Sequence, residues 1–187
     1  MTVLERALTD LARLFAESRI PYMVIGGMAN AVWGEPRATL DIDVTLWVEE
    51  AAIPATVDVL SGNFRPLVAD PTGFIAETRV LPMESIDGVR IDVIFGMLPF
   101  EREAVQRAVP FAVAGVPVSF CTAEDLVLMK IISERDRDLA DAREVVARRL
   151  PELDLAYLDP RVAELSAILE RPEILARWRA WTGLESG

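Results

Sequence analysis

The sequence predicts an α/β (α+β) fold that ends in a helical segment, and three observations predict it. Apolar residues recur at helical spacing in "MTVLERALTDLARLF", two later runs alternate as half-buried strands do, and from Thr122 onward every periodic stretch is helical. A chain of 187 residues that is 52% apolar can bury a sizeable core. We expect that core in residues 1–121, with a helical C-terminal region, 122–187, packed on it.

The first helix is marked by Thr2 and Glu5 at capping-box spacing and by Leu4, Leu8, Leu11, Leu14 and Phe15, and it should stop near Ile20-Pro21. "YMVI" (22–25) reads as a short buried strand, "GG" (26–27) as a turn, and "MANAVWG" as a short helix closing at Gly34. From 41 to 48 the residues alternate, with Asp41, Asp43, Thr45 and Trp47 on one side and Ile42, Val44, Leu46 and Val48 on the other. A helix about 54–61 and extended segments near 64–68 and 76–81 follow, and then "GVRIDVIFG" (88–96) places Arg90, Asp92 and Ile94 on one face. A helix near 99–108 leads to "FAVAGVPVSF", a hairpin around Gly115. The tail reads as "TAEDLVLMKIISER", "DLADAREVVARRL", and shorter helices at 160–169 and 172–181.

Composition narrows the chemistry. One cysteine, Cys121, and no histidine exclude disulfides within the chain, Cys/His zinc sites and His-based triads. Catalysis must then rest on carboxylates, arginines, the single lysine or a hard cation, for which Mg²⁺ is the best match and Mn²⁺ a substitute. A net charge of −11 argues against a nonspecific grip on nucleic acid, although the second half is less acidic and "REVVARR" could form a local basic patch. No apolar run reaches the roughly 18 residues of a membrane span, and the N-terminus reads as a helix instead of a signal peptide, so we expect a cytoplasmic protein without a membrane partner.

Two aspartates one residue apart on a strand repel each other, and in a strand this apolar they would be costly unless something positive sits between them. A cation resolves that repulsion; surface decoration is the simpler alternative for a D-x-D pair. "VIGG" running into a helix has two readings: a permissive turn, or a helix N-terminus presenting its amides to phosphate. Asp92 either pairs with Arg90 or, if its strand neighbours the first, completes a triad with Asp41 and Asp43 able to hold two metals roughly 3.5–4 Å apart. Lys130, the only lysine beside 18 arginines, is a compact ammonium suited to a triphosphate, or a solvated helix position pairing with Glu134 at i+4. In "RDRDLADAREVV" Asp138 stands at an N-cap position, and the alternating signs read as a surface salt-bridge lattice.

Together "GG" at 26–27, "DID" at 41–43 and the aspartate of "RIDVIF" resemble the nucleotidyltransferase superfamily, the fold of polymerase-β-like enzymes. "RATLDIDV" and "AEDLVLMKIISERDRDLADAREVV" look like the AbiEii-type toxin nucleotidyltransferases and their relatives. The resemblance covers roughly residues 20–150 and implies a mixed β-sheet flanked by helices. It implies that Asp41 and Asp43 ligate Mg²⁺ and that Asp92 completes the metal site or acts as base. Gly26 and Gly27 would cradle the triphosphate of an NTP, Arg37 and Lys130 would neutralise it, and Thr39, Asp138 and Asp141 would join the nucleotide site. Gly27 departs from the Gly-Ser of many members and removes a hydroxyl contact to phosphate. The acceptor implied is tRNA, a protein or, given the acidity, a cationic small molecule, and an antitoxin is a candidate partner. The alternative is a catalytically silent module of the same fold that binds a nucleotide or a partner.

Overall fold

Helix α1 (Val3–Ser18) starts on a capping box: Thr2 Oγ1 accepts from the Glu5 amide at 3.1 Å, and Glu5 Oε2 accepts from the Thr2 amide at 2.7 Å. Leu8, Leu11 and Phe15 bury its apolar face, and it ends where Arg19 takes a left-handed backbone at φ 54°. The computed structural model describes residues 1–36 and 38–183. After α1 come β1 (Tyr22–Val24), α2 (Gly26–Trp33) and β2 (Asp41–Leu46). A 3-10 turn (Glu50–Ala52) leads into α3 (Ile53–Ser61), then β3 (Arg65–Pro66), α4 (Pro71–Thr78), β4 (Val80–Glu84) and β5 (Arg90–Phe95). Next are α5 (Pro99–Arg107), the hairpin β6 (Val109–Val113) and β7 (Val116–Phe120), and four helices: α6 (Ala123–Ile131), α7 (Asp136–Arg149), α8 (Leu155–Ile168) and α9 (Pro172–Thr182). No helix of the described residues is long and apolar enough to cross a membrane.

The strands form one mixed sheet in the order β3-β4-β5-β2-β1-β7-β6, with β2/β5 and β1/β7 parallel and the other neighbours antiparallel. The α/β fold class expected from the sequence is the one observed. Strands β2 and β5 are central in the sheet; Ile42, Val44, Leu46, Ile91, Val93 and Phe95 form their buried face, and Asp41, Asp43, Arg90 and Asp92 stand on the other.

The described residues divide into two compact units: Met1–Ala29 with Ala38–Cys121, and the described residues of Asn30–Arg37 with those of Thr122–Gly187. The first holds the whole sheet. In the second, α6 pairs with α7 and α8 with α9, around Leu126, Ile131, Val145, Leu158, Ile174 and Trp178.

Several local expectations are corrected. The helix after β1 starts at Gly26 itself, at φ 61°, where a turn over Gly26 and Gly27 was expected. The extended segment expected at 76–81 is the end of α4 followed by β4: Asp70 caps α4 by accepting from the Gly73 amide at 3.0 Å, and Pro71 presets its first turn. The segment near 64–68 shrinks to the two-residue edge strand β3, in keeping with its Pro66. Asp138 lies inside the first turn of α7, and Arg135 takes the N-cap position.

Candidate functional site

The site begins with register. Strand β2 pairs with β5 in parallel so that Asp41 stands opposite Arg90 and Asp43 opposite Asp92. Registered partners on neighbouring strands project from the same face, about 4.8 Å apart, so the two-residue period places Asp41, Asp43 and Asp92 together on that face. Asp41 is exposed, and Asp43 and Asp92 are half-buried. Thr39 Oγ1 donates to Asp41 Oδ1 at 2.8 Å and thereby orients the outermost carboxylate.

Strand β1 closes the other side. It runs antiparallel to β2 with Val24 opposite Val44, and the Ile25 amide donates to the Asp43 carbonyl at 2.9 Å. The chain then turns into α2 directly beside the Asp43 side chain. A Cβ at Gly26 would lie 2.1 Å from Asp43 Oδ2, and the residue has φ 61°, so glycine is required there on both counts. The N-terminus of α2 thus opens beside the carboxylates, with its unsatisfied amides and positive dipole end.

Asp92 is held by an arginine. Arg90 Nε donates to both Asp92 carboxylate oxygens at 3.1 Å, and Arg90 Nη2 lies 3.0 Å from Oδ1. The hydrogen bond that Arg90 donates to Asp92 pushes its guanidinium further toward the protonated form, and the charges of Asp92, Asp41 and Asp43 add to the effect. Among the described residues no three His, Cys, Asp or Glu side chains are already gathered as a metal-ligand set. The donor set nevertheless fits a hard divalent ion: it is all oxygen, it lies on one face of adjacent strands, and the backbone at Gly26 comes so close to Asp43 Oδ2 that a Cβ there would collide with it.

Three further residues of the predicted site lie in the second unit. Lys130 is buried and donates to Asp138 Oδ1 and Asp141 Oδ2, both at 2.8 Å, so its pairing is with these aspartates, not with Glu134. Ser133 Oγ donates to Asp138 Oδ2 at 2.9 Å, and Arg135 Nε lies 2.7 Å from the same oxygen. Burial pushes the Asp138 carboxyl up, but the hydrogen bond and charge of Lys130, with Ser133 and Arg135, outweigh it and hold it below its ordinary 3.8. The surface lattice expected for this stretch is therefore an inward-facing cluster at Asp138 and Asp141. Asn30 was not anticipated: its Nδ2 donates to the Glu35 carbonyl at 3.0 Å and to Asp141 Oδ1 at 3.4 Å. The signal was available, since Asn30 is the one polar side chain in the apolar helix "GGMANAVW". Arg37 lies outside the described residues.

Comparison with known proteins agrees with this fold. The chain is similar to an antigenic nucleotidyltransferase-like protein from Paracoccidioides brasiliensis, at 17% identity and a TM-score of 0.54 over 95% of this chain and 92% of that one. It is similar to the antibiotic-resistance factor ANT(2'')-Ia, at 16% identity and a TM-score of 0.57 over 91% and 94%. It is also similar to the lincosamide antibiotic adenylyltransferase LnuA, at 12% identity and a TM-score of 0.51 over 78% and 96%. At such identities the likeness is one of fold. No curated protein matches the sequence. Residues 3–181 match the family described as nucleotidyltransferase of unknown function (DUF6036), and the chain belongs to it.

Proposed function

We propose that the protein transfers a nucleoside monophosphate from an NTP to an acceptor hydroxyl or phosphate and releases pyrophosphate. The observation that carries this reading is the pairing of Asp43 with Asp92 across parallel strands, beside a backbone turn that only glycine can make at Gly26. Asp41, Asp43 and Asp92 would hold Mg²⁺ or Mn²⁺. When bound, the ion neutralises the triphosphate and the leaving pyrophosphate. The amides of Gly26 and Gly27 at the start of α2 would seat the phosphates, and Thr39 fixes the Asp41 carboxylate for its part. For a hydroxyl acceptor, an oxygen of Asp92 would accept its proton as the new phosphate ester forms. Lys130 donates to Asp138 and Asp141, and no step of the transfer is assigned to it.

The acceptor class we favour is a cationic small molecule, because a chain of net charge −11 attracts one. A similar solved structure is ANT(2'')-Ia in complex with adenylyl-2''-tobramycin. A toxin role with an antitoxin partner would instead require tRNA or protein as acceptor. The test is incubation with each NTP, Mg²⁺ or Mn²⁺, and separate pools of aminoglycosides, tRNA and protein, following pyrophosphate release and label transfer. Transfer should appear in one pool and fall by on the order of 10²–10³-fold in Asp43→Ala, as when one preorganised charge partner is removed. Transfer that survives this substitution would refute the assignment. The missing hydroxyl at Gly27 favours a second reading, a nucleotide-binding module without turnover; calorimetry would then show NTP binding with no pyrophosphate from any pool.

A further inference from the structure

Arg90 shares the carboxylate-bearing face of β5 with Asp92, and its Cα stands opposite Asp41 on β2. Its guanidinium caps both oxygens of Asp92 at 3.1 Å, although its own side chain is 58% exposed and that of Asp92 only 22%. The positive group therefore sits on the solvent side of the carboxylate face, where an incoming cation must arrive. Its long stem gives it room to leave, and an ion pair exposed to this degree is readily exchanged.

Asp43 and Asp92 are registered neighbours, and like charges directly opposite each other on adjacent strands repel. Resting on the reading of Asp41, Asp43 and Asp92 as a cation site, we propose that Arg90 is a tethered stand-in for the divalent ion. It neutralises Asp92 until the ion takes its place, and then swings away into solvent. Arg90 is thus a positioning residue that sets how tightly the site takes its metal. The fork geometry matters as well as the charge, because a guanidinium meets a carboxylate through two parallel bonds and an ammonium through one.

The experiment titrates Mn²⁺ alone, without nucleotide, into the full chain and into Arg90→Gln and Arg90→Lys, reading unbound Mn²⁺ by electron paramagnetic resonance and following Tm. Arg90→Gln should bind Mn²⁺ tighter by up to about fivefold, the upper bound set by the loss of one exposed ion pair. Its Tm should lie below that of the parent without Mn²⁺, and the gap should close at saturation because the ion stabilises the state it binds. Arg90→Lys should fall between the two, which separates the fork from general electrostatics because its charge is retained. Equal or weaker Mn²⁺ binding by both variants, with an unchanged Tm gap, overturns the role of Arg90 and leaves the metal site standing. Absence of Mn²⁺ binding in all three proteins overturns the carboxylate site itself and this proposal with it.

Discussion

Gly26 ties backbone geometry to the proposed chemistry more tightly than any other single residue. Its positive φ disfavours any side chain, and an added Cβ would land on Asp43 Oδ2 at 2.1 Å, so Gly26→Ala must displace either the turn or the carboxylate. We expect a loss of about 1–3 kcal/mol in urea unfolding, the cost of a strained backbone position, together with loss of nucleotidyl transfer. Gly62→Ala is the matched control. Gly62 closes α3 at φ −70°, and its added Cβ would meet nothing nearer than 3.5 Å, so its stability should shift by less than about 0.5 kcal/mol. Equal behaviour of the two variants would show that the approach of Gly26 to Asp43 is not constrained. The sequence pointed to Gly26 through its neighbour and its place before a helix. It could not reveal the contact with Asp43, which depends on β1 and β2 pairing antiparallel with Val24 opposite Val44.

Strands β2 and β5 were readable because each is half-buried and alternates cleanly, so Asp41, Asp43 and Asp92 could be placed on faces before any pairing was known. Their adjacency was a condition, because neighbour order in a sheet is decided by long-range contacts that local periodicity does not encode. Helix α4 was missed for a different reason: only Ile75 of its residues is buried, which leaves no apolar stripe to detect, and the Asp70-Pro71 start signal stood alone. The inward turn of Asp138 and Asp141 was hidden because charge alternation looks the same on a solvated face as around one buried lysine. That cluster joins α6 to α7 and sets a prediction for their stability. Lys130→Met takes the shared ammonium from two buried carboxylates and should cost about 3–5 kcal/mol at neutral pH. The folded Asp138 carboxyl titrates below its ordinary 3.8, so its stabilisation is complete above pH 3.8. Below that pH the unfolded chain binds the proton first, and the stabilisation drains away as the folded value is approached. Urea unfolding against pH should therefore show an acid limb in the parent that is shallower in Lys130→Met. Parallel curves would place the stabilising partner of Asp138 elsewhere.

Over the whole chain the decisive quantity is charge. The local basic cluster read in "REVVARR" is largely neutralised by its own surroundings: Arg148 Nη2 lies 3.2 Å from Glu35 Oε2, and Arg149 Nη1 lies 3.0 Å from Glu152 Oε2. Arg149 also lies over the Trp33 ring, with 5.8 Å to its centroid. With those arginines occupied, the field met by an approaching acceptor is set by the net −11, which draws in polycations and repels polyanions beyond the contact itself. Salt therefore discriminates between acceptor classes by the sign of its effect. For a cationic acceptor such as an aminoglycoside, kcat/KM should fall several-fold between about 50 and 200 mM salt, because the Debye length shrinks below about 8 Å and the attraction is screened. For tRNA the same titration should be flat or rising, since screening relieves repulsion. A steep fall with tRNA, of the kind produced when several phosphates release counterions, would require a basic surface strong enough to overcome the net charge and would turn the assignment toward RNA.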